Sequence, residues 1–148
     1  MTAQYRCKWD EIEGRVRALR ESAKAQIFQG IIGVSRGGLV PAVMLSHYLK
    51  LPLLGVITAK AYTTENKLSG QVLIHPSHPL VPLEHQHKYL IVDDLYDTGV
   101  TADAIYQLHP HCTYAFLYRK SMIPLYMKHL PTEEKDPDIW IKFPWELN

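Results

Sequence analysis

Cysteine is scarce in this chain: Cys7 and Cys112 are the two among 148 residues, and they form no Cys-x-x-Cys pair. That excludes a redox dithiol motif and leaves free thiols in a reducing cytosol as the expectation. Long apolar runs are missing as well. None approaches the ~20 residues that span a bilayer, and Met1-Thr2-Ala3-Gln4-Tyr5-Arg6 is not followed by the apolar core of a secretion signal. A cytoplasmic protein with no integral membrane segment is expected. Neither sign of charge dominates: 16 basic residues face 15 acidic ones, for a net charge of +1. Such a balance argues against a protein built to neutralise a nucleic-acid backbone, so no nucleic-acid partner is expected. There is no Gly-x-x-x-x-Gly-Lys-Ser/Thr loop and no Gly-x-Gly-x-x-Gly turn, so neither a P-loop nor a dinucleotide fingerprint is supported. Internal repeats and low-complexity tracts are absent. What is present is ordinary for a globular protein: 47% hydrophobic and 21% charged residues in a length that suits one domain, residues 1–148.

Apolar periodicity supplies the elements. Asp10 followed by Glu13 reads as an acidic capping box, and Ile12, Val16 and Leu19 mark a helical face that Ala23 and Ile27 continue. Residues 31–34 form a short buried strand. Residues 39–49 form a helix that tolerates Pro41 in its first turn, and residues 53–58 the next strand. Residues 61–70 are polar without a helical face and read as a loop or flexible hairpin. Strand character resumes at 71–74, and Pro76, Pro79 and Pro82 then impose an extended connection. A strand at 89–92, a helix at 99–108 and a strand at 113–118 follow. Beyond Arg119 the chain reads as irregular, with aromatic residues Tyr126, Trp140, Phe143 and Trp145 interleaved. Strands alternating with helices indicate an α/β fold with a mostly parallel sheet, whose ligands sit outside the C-terminal strand edges. Histidines 75, 78, 85 and 87 could suggest a metal site, with His85-x-His87 chelating from one strand face. The segment is proline-rich and offers neither cysteine nor a clear acidic third ligand, so solvated or structural histidines are expected.

Two turns fall at such strand edges. In Ile91-Val92-Asp93-Asp94-Leu95-Tyr96-Asp97-Thr98-Gly99-Val100-Thr101 an apolar strand ends in adjacent carboxylates, with Asp97 a turn further on. One acid of this kind could be a helix cap or half of a surface ion pair. Three acids in frame with Thr98, Gly99 and Thr101 suit a ligand that is both polyol and phosphate ester. The acids can hold sugar hydroxyls and a divalent metal, while the helix N-terminus offers N–H groups and a positive dipole end to phosphate. A phosphorylated ribose meets that description. If the strand persists through them, Asp93 and Asp94 point to opposite sides. The other turn, Ser35-Arg36-Gly37-Gly38, lets backbone approach a ligand closely and offers the Arg36 fork to phosphate oxygens.

The acidic run from Val92 to Thr101 resembles the phosphoribosyl-pyrophosphate (PRPP) motif of the type I phosphoribosyltransferases. Further parts resemble the xanthine-guanine subgroup of that family: Tyr5 with Trp9-Asp10, the run from Gly30 to Pro41, Lys120 after a strand, and Asp138-Ile139-Trp140-Ile141-Lys142-Phe143-Pro144-Trp145. The similarity covers nearly the whole chain and is weakest over residues 62–88.

The resemblance implies the type I fold: a mostly parallel twisted sheet flanked by helices, a small hood from the C-terminal segment and a flexible lid loop. It implies transfer of ribose 5-phosphate from PRPP to a 6-oxopurine (guanine, xanthine or hypoxanthine), releasing pyrophosphate, with Mg²⁺ as cofactor. PRPP would be bound by Arg36, Gly37 and Lys67 together with Asp93, Asp94, Leu95, Tyr96, Asp97, Thr98, Gly99, Val100 and Thr101. Within that set Asp93 and Asp94 would engage the ribose, with Asp94 nearer the metal. Thr98, Gly99 and Thr101 would wrap the 5′-phosphate, and Arg36 and Gly37 would meet pyrophosphate beside a non-proline cis peptide. Asp97 would be catalytic, managing the proton at purine N7. Lys120 would donate to the 6-oxo oxygen, Trp140 would stack on the ring, and the Ile141 carbonyl would read the 2-substituent. Trp145 is assigned to packing. Residues 61–70, with Tyr62 and Lys67, are the lid candidate. Relatives form homodimers or homotetramers. The alternatives are a PRPP-sensing regulatory or nucleic-acid-binding protein on the same fold, and a transferase for a pyrimidine such as orotate, which Lys120 and Trp140-Ile141 disfavour.

Overall fold

Apolar side chains recurring at helical spacing and short β-branched runs alternate along the chain, and the elements follow them. The computed structural model describes residues 3–64, 67–76 and 81–147, with residues 60–73 and 76 described as backbone only. In chain order these form β1 (Ala3–Arg6), α1 (Trp9–Ala23), β2 (Gly30–Ser35), α2 (Leu39–Leu49), β3 (Leu53–Thr64), β4 (Lys67–Pro76), β5 (Tyr89–Tyr96), α3 (Val100–Leu108), β6 (Thr113–Arg119), β7 (Glu133–Glu134) and β8 (Ile139–Lys142), with a 3-10 helix at Leu83–Lys88. Among the described residues no helix is long and apolar enough to cross a membrane.

The main sheet runs β4-β3-β2-β5-β6-β7. Its β3-β2-β5-β6-β7 portion is parallel, and β4 is antiparallel on one edge. Alternation along the strands splits the core between the two faces. Ile31, Leu90, Val92, Ala115 and Leu117 pack with Ile12, Val16 and Leu19 of α1 and Ala42 and Leu45 of α2. Ile32, Val34, Ile91, Tyr114 and Phe116 pack with Ala102 and Ile105 of α3. Both cysteines are free and buried.

Several local expectations are corrected. Helix α1 is capped by Glu11, whose carboxylate accepts the Lys8 N–H at 3.3 Å, and not by an Asp10–Glu13 pair. Glu13 is turned outward and pairs with Arg17 at 2.7 Å, one helical turn on. Ile27 lies beyond the helix end and is 91% exposed, so the apolar face stops at Ala23. The segment read as a loop or flexible hairpin is a strand pair: β3 continues to Thr64 and β4 begins at Lys67, paired antiparallel. Its β-favouring residues meet a partner ladder there, which satisfies backbone groups that a loop would leave to water. The connection after Pro82 is a 3-10 helix rather than extended chain, and His85 and His87 sit on it rather than on a strand face. It is pinned by buried Gln86, which donates to the carbonyls of Val81 and Leu108 and accepts the His111 N–H, each at 3.0 Å. Histidine 78, Pro79 and residues 65–66 lie outside the described residues.

The segment beyond Arg119 is not wholly irregular. Strand β8 pairs in parallel with β1 in a separate two-stranded sheet, with Gln4 opposite Trp140 and Tyr5 opposite Ile141. Half of the hood therefore comes from the N-terminus. The Tyr5 hydroxyl donates a short hydrogen bond to the Glu11 carboxylate, which pushes the phenol up to about 12. Lys135 Nζ lies 4.4 Å from the Tyr5 ring centre and 4.9 Å from that of Tyr118. These contacts fasten the hood to the body of the protein.

Candidate active site

Strands β2 and β5 are parallel neighbours, with Gly33 opposite Val92, so the turns that follow them open at the same sheet edge. Two glycines allow those turns to touch. A Cβ on Gly38 would meet the Val92 carbonyl oxygen at 2.5 Å and the Asp93 Cα at 2.8 Å. On Gly37 the space of a Cβ is filled by the Asp94 carboxyl group. The Ser35–Arg36 peptide is cis, and the Ser35 hydroxyl donates to Thr58 Oγ1 at 2.8 Å.

Strand β5 runs on through the acids to Tyr96, four residues past its expected end, because Leu95 and Tyr96 still pair with Tyr118 and Arg119. This extension holds Asp93 and Asp94 on a rigid element. Asp93 accepts the Asp94 N–H at 2.8 Å through its side chain. Burial, reinforced by the neighbouring charge of Asp94, pushes the Asp93 carboxyl well above the usual carboxylate range. Burial raises Asp94 too. Adjacent desolvated carboxyls disfavour double ionisation, so the pair tends to keep a proton unless a cation neutralises it.

Past the acids the chain turns at Gly99, whose φ of 91° belongs to the left-handed region, and α3 begins. A Cβ at Gly99 would collide with the Tyr96 hydroxyl. Tyr96 is buried and set edge-on to Phe116, with ring centres 5.3 Å apart. Together these residues shape a cavity of about 260 Å³ lined by Ser35, Gly37 and the whole run from Asp93 to Ala102.

Asp97 is exposed at the rim, while Lys120 is largely buried behind it; Lys120 Nζ lies 4.0 Å from Asp97 Oδ2. The end of β6 is tied to the acidic run twice more. The Lys120 N–H donates to the Tyr96 carbonyl at 2.8 Å, and the Ser121 hydroxyl donates to the Asp97 carbonyl at 2.6 Å. Ser121 was missed in the sequence; a lone serine after a strand gives no signal until the partner carbonyl is known.

A second cavity of about 760 Å³ adjoins the first, and Gly37 and Asp94 line both. Arg36 lines it from the cradle side; Gln4, Trp140, Lys142, Trp145 and Glu146 line it from the hood. The Trp140 side chain is 59% exposed, whereas that of Ile141 is buried. Trp145 packs as expected, stacked on Phe143 with ring centres 4.9 Å apart and tilted against Trp9 at 6.0 Å. It lines this cavity as well. Arg36, Gly37 and the run from Asp93 to Thr101 thus converge on one rim, Lys120 stands by Asp97, and Trp140 faces the rim across the second cavity. The side chains of Tyr62 and Lys67 lie outside the described residues.

The phosphoribosyl transferase domain model matches residues 9–109. The xanthine-guanine phosphoribosyltransferase of Chromohalobacter salexigens is 33% identical over 145 residues, covering 97% of this chain and 85% of the relative. That of Cereibacter sphaeroides is 31% identical over 152 residues, covering 97% and 87%. Among solved structures, the purine phosphoribosyltransferase of Pyrococcus horikoshii superposes with a TM-score of 0.79 at 29% identity, covering 98% of this chain and 95% of that one. The chain belongs to the phosphoribosyl transferase domain family.

Proposed function

We propose that this chain is a purine-salvage enzyme that transfers ribose 5-phosphate from PRPP to a 6-oxopurine, releasing pyrophosphate. The observation that carries the reading is the junction of the two cavities at Gly37 and Asp94. One is a phosphate cradle at a helix N-terminus, and the other ends on an exposed tryptophan. A phosphorylated sugar between them would present its anomeric carbon to a base seated on Trp140.

The N–H groups that open α3 and the hydroxyls of Thr98 and Thr101 take the 5′-phosphate. Asp93 and Asp94 accept hydrogen bonds from the ribose hydroxyls. Arg36 and the backbone of Gly37 hold the pyrophosphate and stabilise the negative charge that builds on it as the anomeric C–O bond breaks. Mg²⁺ fits the donor set: two hard carboxyl groups, both pushed up by burial, gain from a cation, and this metal is commonly held by one or two carboxylates plus substrate phosphates. Asp94 would hold it, and its chemistry there is further charge neutralisation on the leaving group. Asp97 takes or stabilises the N7 proton as the neighbouring ring nitrogen attacks the sugar. Lys120, close behind Asp97, donates to the 6-oxo oxygen. A 6-amino base would set donors against that donor, so adenine is rejected. The Ile141 carbonyl reads the 2-substituent.

The test supplies Mg²⁺ and PRPP with guanine, xanthine, hypoxanthine, adenine and orotate in turn and measures nucleotide and pyrophosphate. Turnover is expected with the 6-oxopurines alone. PRPP binding without turnover of any base would point instead to a PRPP-sensing protein.

A further inference from the structure

Strand β8 alternates: Trp140 is exposed, Ile141 is buried and Lys142 is half-buried, so Trp140 and Lys142 project from the same face. Both line the larger cavity with Arg36. The charged groups around this cavity are Arg36, Asp94, Lys142 and Glu146, and a neighbouring cavity that Lys142 and Glu146 also line adds Arg6. Neither carboxylate is spent on Lys142. The Asp94 carboxyl is turned against Gly37, and Glu146 accepts the Phe143 N–H at 3.3 Å. Among the described residues no carboxylate lies within ion-pair distance of Lys142. Lys142, without an ion pair among the described residues, thus lines the cavity two positions along β8 from Trp140 and one from Ile141.

We propose that Lys142 is a specificity-determining residue that admits a 2,6-dioxopurine, the xanthine class, alongside the 2-amino base. The inference rests on the 6-oxopurine reading above. A backbone carbonyl at the 2-position suits the 2-amino group of guanine and repels a 2-oxo group. An ammonium that reaches the 2-substituent from Lys142 reverses the second preference, because a 2-oxo oxygen accepts from it. Xanthine is also the most acidic of the three 6-oxopurines. It ionises near neutral pH, and the cation stabilises the anion. Hypoxanthine, with hydrogen at C2, gains nothing from Lys142.

The test compares the unaltered chain with Lys142→Gln and Lys142→Arg, measuring kcat/KM for xanthine, guanine and hypoxanthine at saturating Mg²⁺ and PRPP. In Lys142→Gln the xanthine-to-guanine ratio falls about tenfold, as expected for loss of a charge-assisted hydrogen bond, and the loss lies in the xanthine KM. Lys142→Arg retains the ratio within about threefold. In the unaltered chain the xanthine KM falls from mildly acidic to mildly alkaline pH, as the base ionises, and Lys142→Gln flattens that trend. A ratio that moves less than about twofold in Lys142→Gln, or an equal loss in Lys142→Arg, overturns the proposal while leaving the transferase reading standing. Absence of turnover in the unaltered chain overturns both.

Discussion

The cradle and the hood are built in opposite ways. The cradle is contiguous: Asp93 to Ala102 descend from one strand into one helix, flanked by the turn of a hydrogen-bonded neighbour. Its fit is set by close contacts that glycines permit at positions 37, 38 and 99. The hood joins residues more than a hundred positions apart in a two-stranded sheet, fastened through Tyr5, Glu11 and Lys135. Two strands alone are marginally stable, so the hood relies on those anchors and on the stacked Phe143–Trp145 pair. In the proposed function the cradle takes phosphate and ribose, which do not vary among substrates, and the hood meets the base, which does. On that reading the part joined from distant segments is the part that discriminates.

The largest expected effect falls where the two regions meet. Asp97→Asn should keep PRPP binding and lower turnover by about a hundredfold or more, the scale of a lost general acid–base group. Isothermal titration and steady-state rates check the split; unaltered turnover would remove Asp97 from its assigned role. Within the cradle, Gly99→Ala combines a left-handed φ with a collision against Tyr96. It should raise the PRPP KM by about tenfold, within the range for strain of this kind, which costs ~1–3 kcal/mol. Within the hood, Trp140→Ala should raise the guanine KM by about tenfold, the lower range for a lost base–aromatic stack.

The smallest effect has the opposite sign on stability. Folding raises the Asp93 carboxyl above its unfolded value of 3.8. The folded chain therefore binds more protons than the unfolded chain above that value, and stability falls as pH rises through the window up to the raised folded pKa. Asn at position 93 keeps an acceptor for the Asp94 N–H and removes the charge. Asp93→Asn should thus melt higher by roughly 3 °C at neutral pH without PRPP, about 1 kcal/mol for a chain of this size, and should show a flatter pH dependence. Thermal melts across pH check this; a lower melting temperature would mean that the carboxylate is stabilised in the fold.

The same division explains what could be read from the sequence. Helix α2 was read to the residue at Leu39–Leu49, and the strand–acid–helix run was read in order. In each, neighbours in the chain are neighbours in space, so local periodicity and turn chemistry suffice. Strand β1 was not read: its four residues are short, largely exposed, and strand-like only because β8 lies beside them. The end of β5 was placed early because apolar periodicity stops at Val92, whereas the ladder continues with β6. Ser121 and Lys142 gain meaning only from partners that the fold brings near, the Asp97 carbonyl and the Arg36-lined cavity. Lys120 was legible through resemblance; its 4.0 Å approach to Asp97 was not.

The division of labour is tested most directly by measuring KM for PRPP and for guanine in parallel for Gly99→Ala and Trp140→Ala. The expected result is crossed: Gly99→Ala moves chiefly the PRPP constant and Trp140→Ala chiefly the guanine constant, each by about tenfold. Equal shifts of both constants in both variants would contradict it, and would mean that cradle and hood form one undivided site.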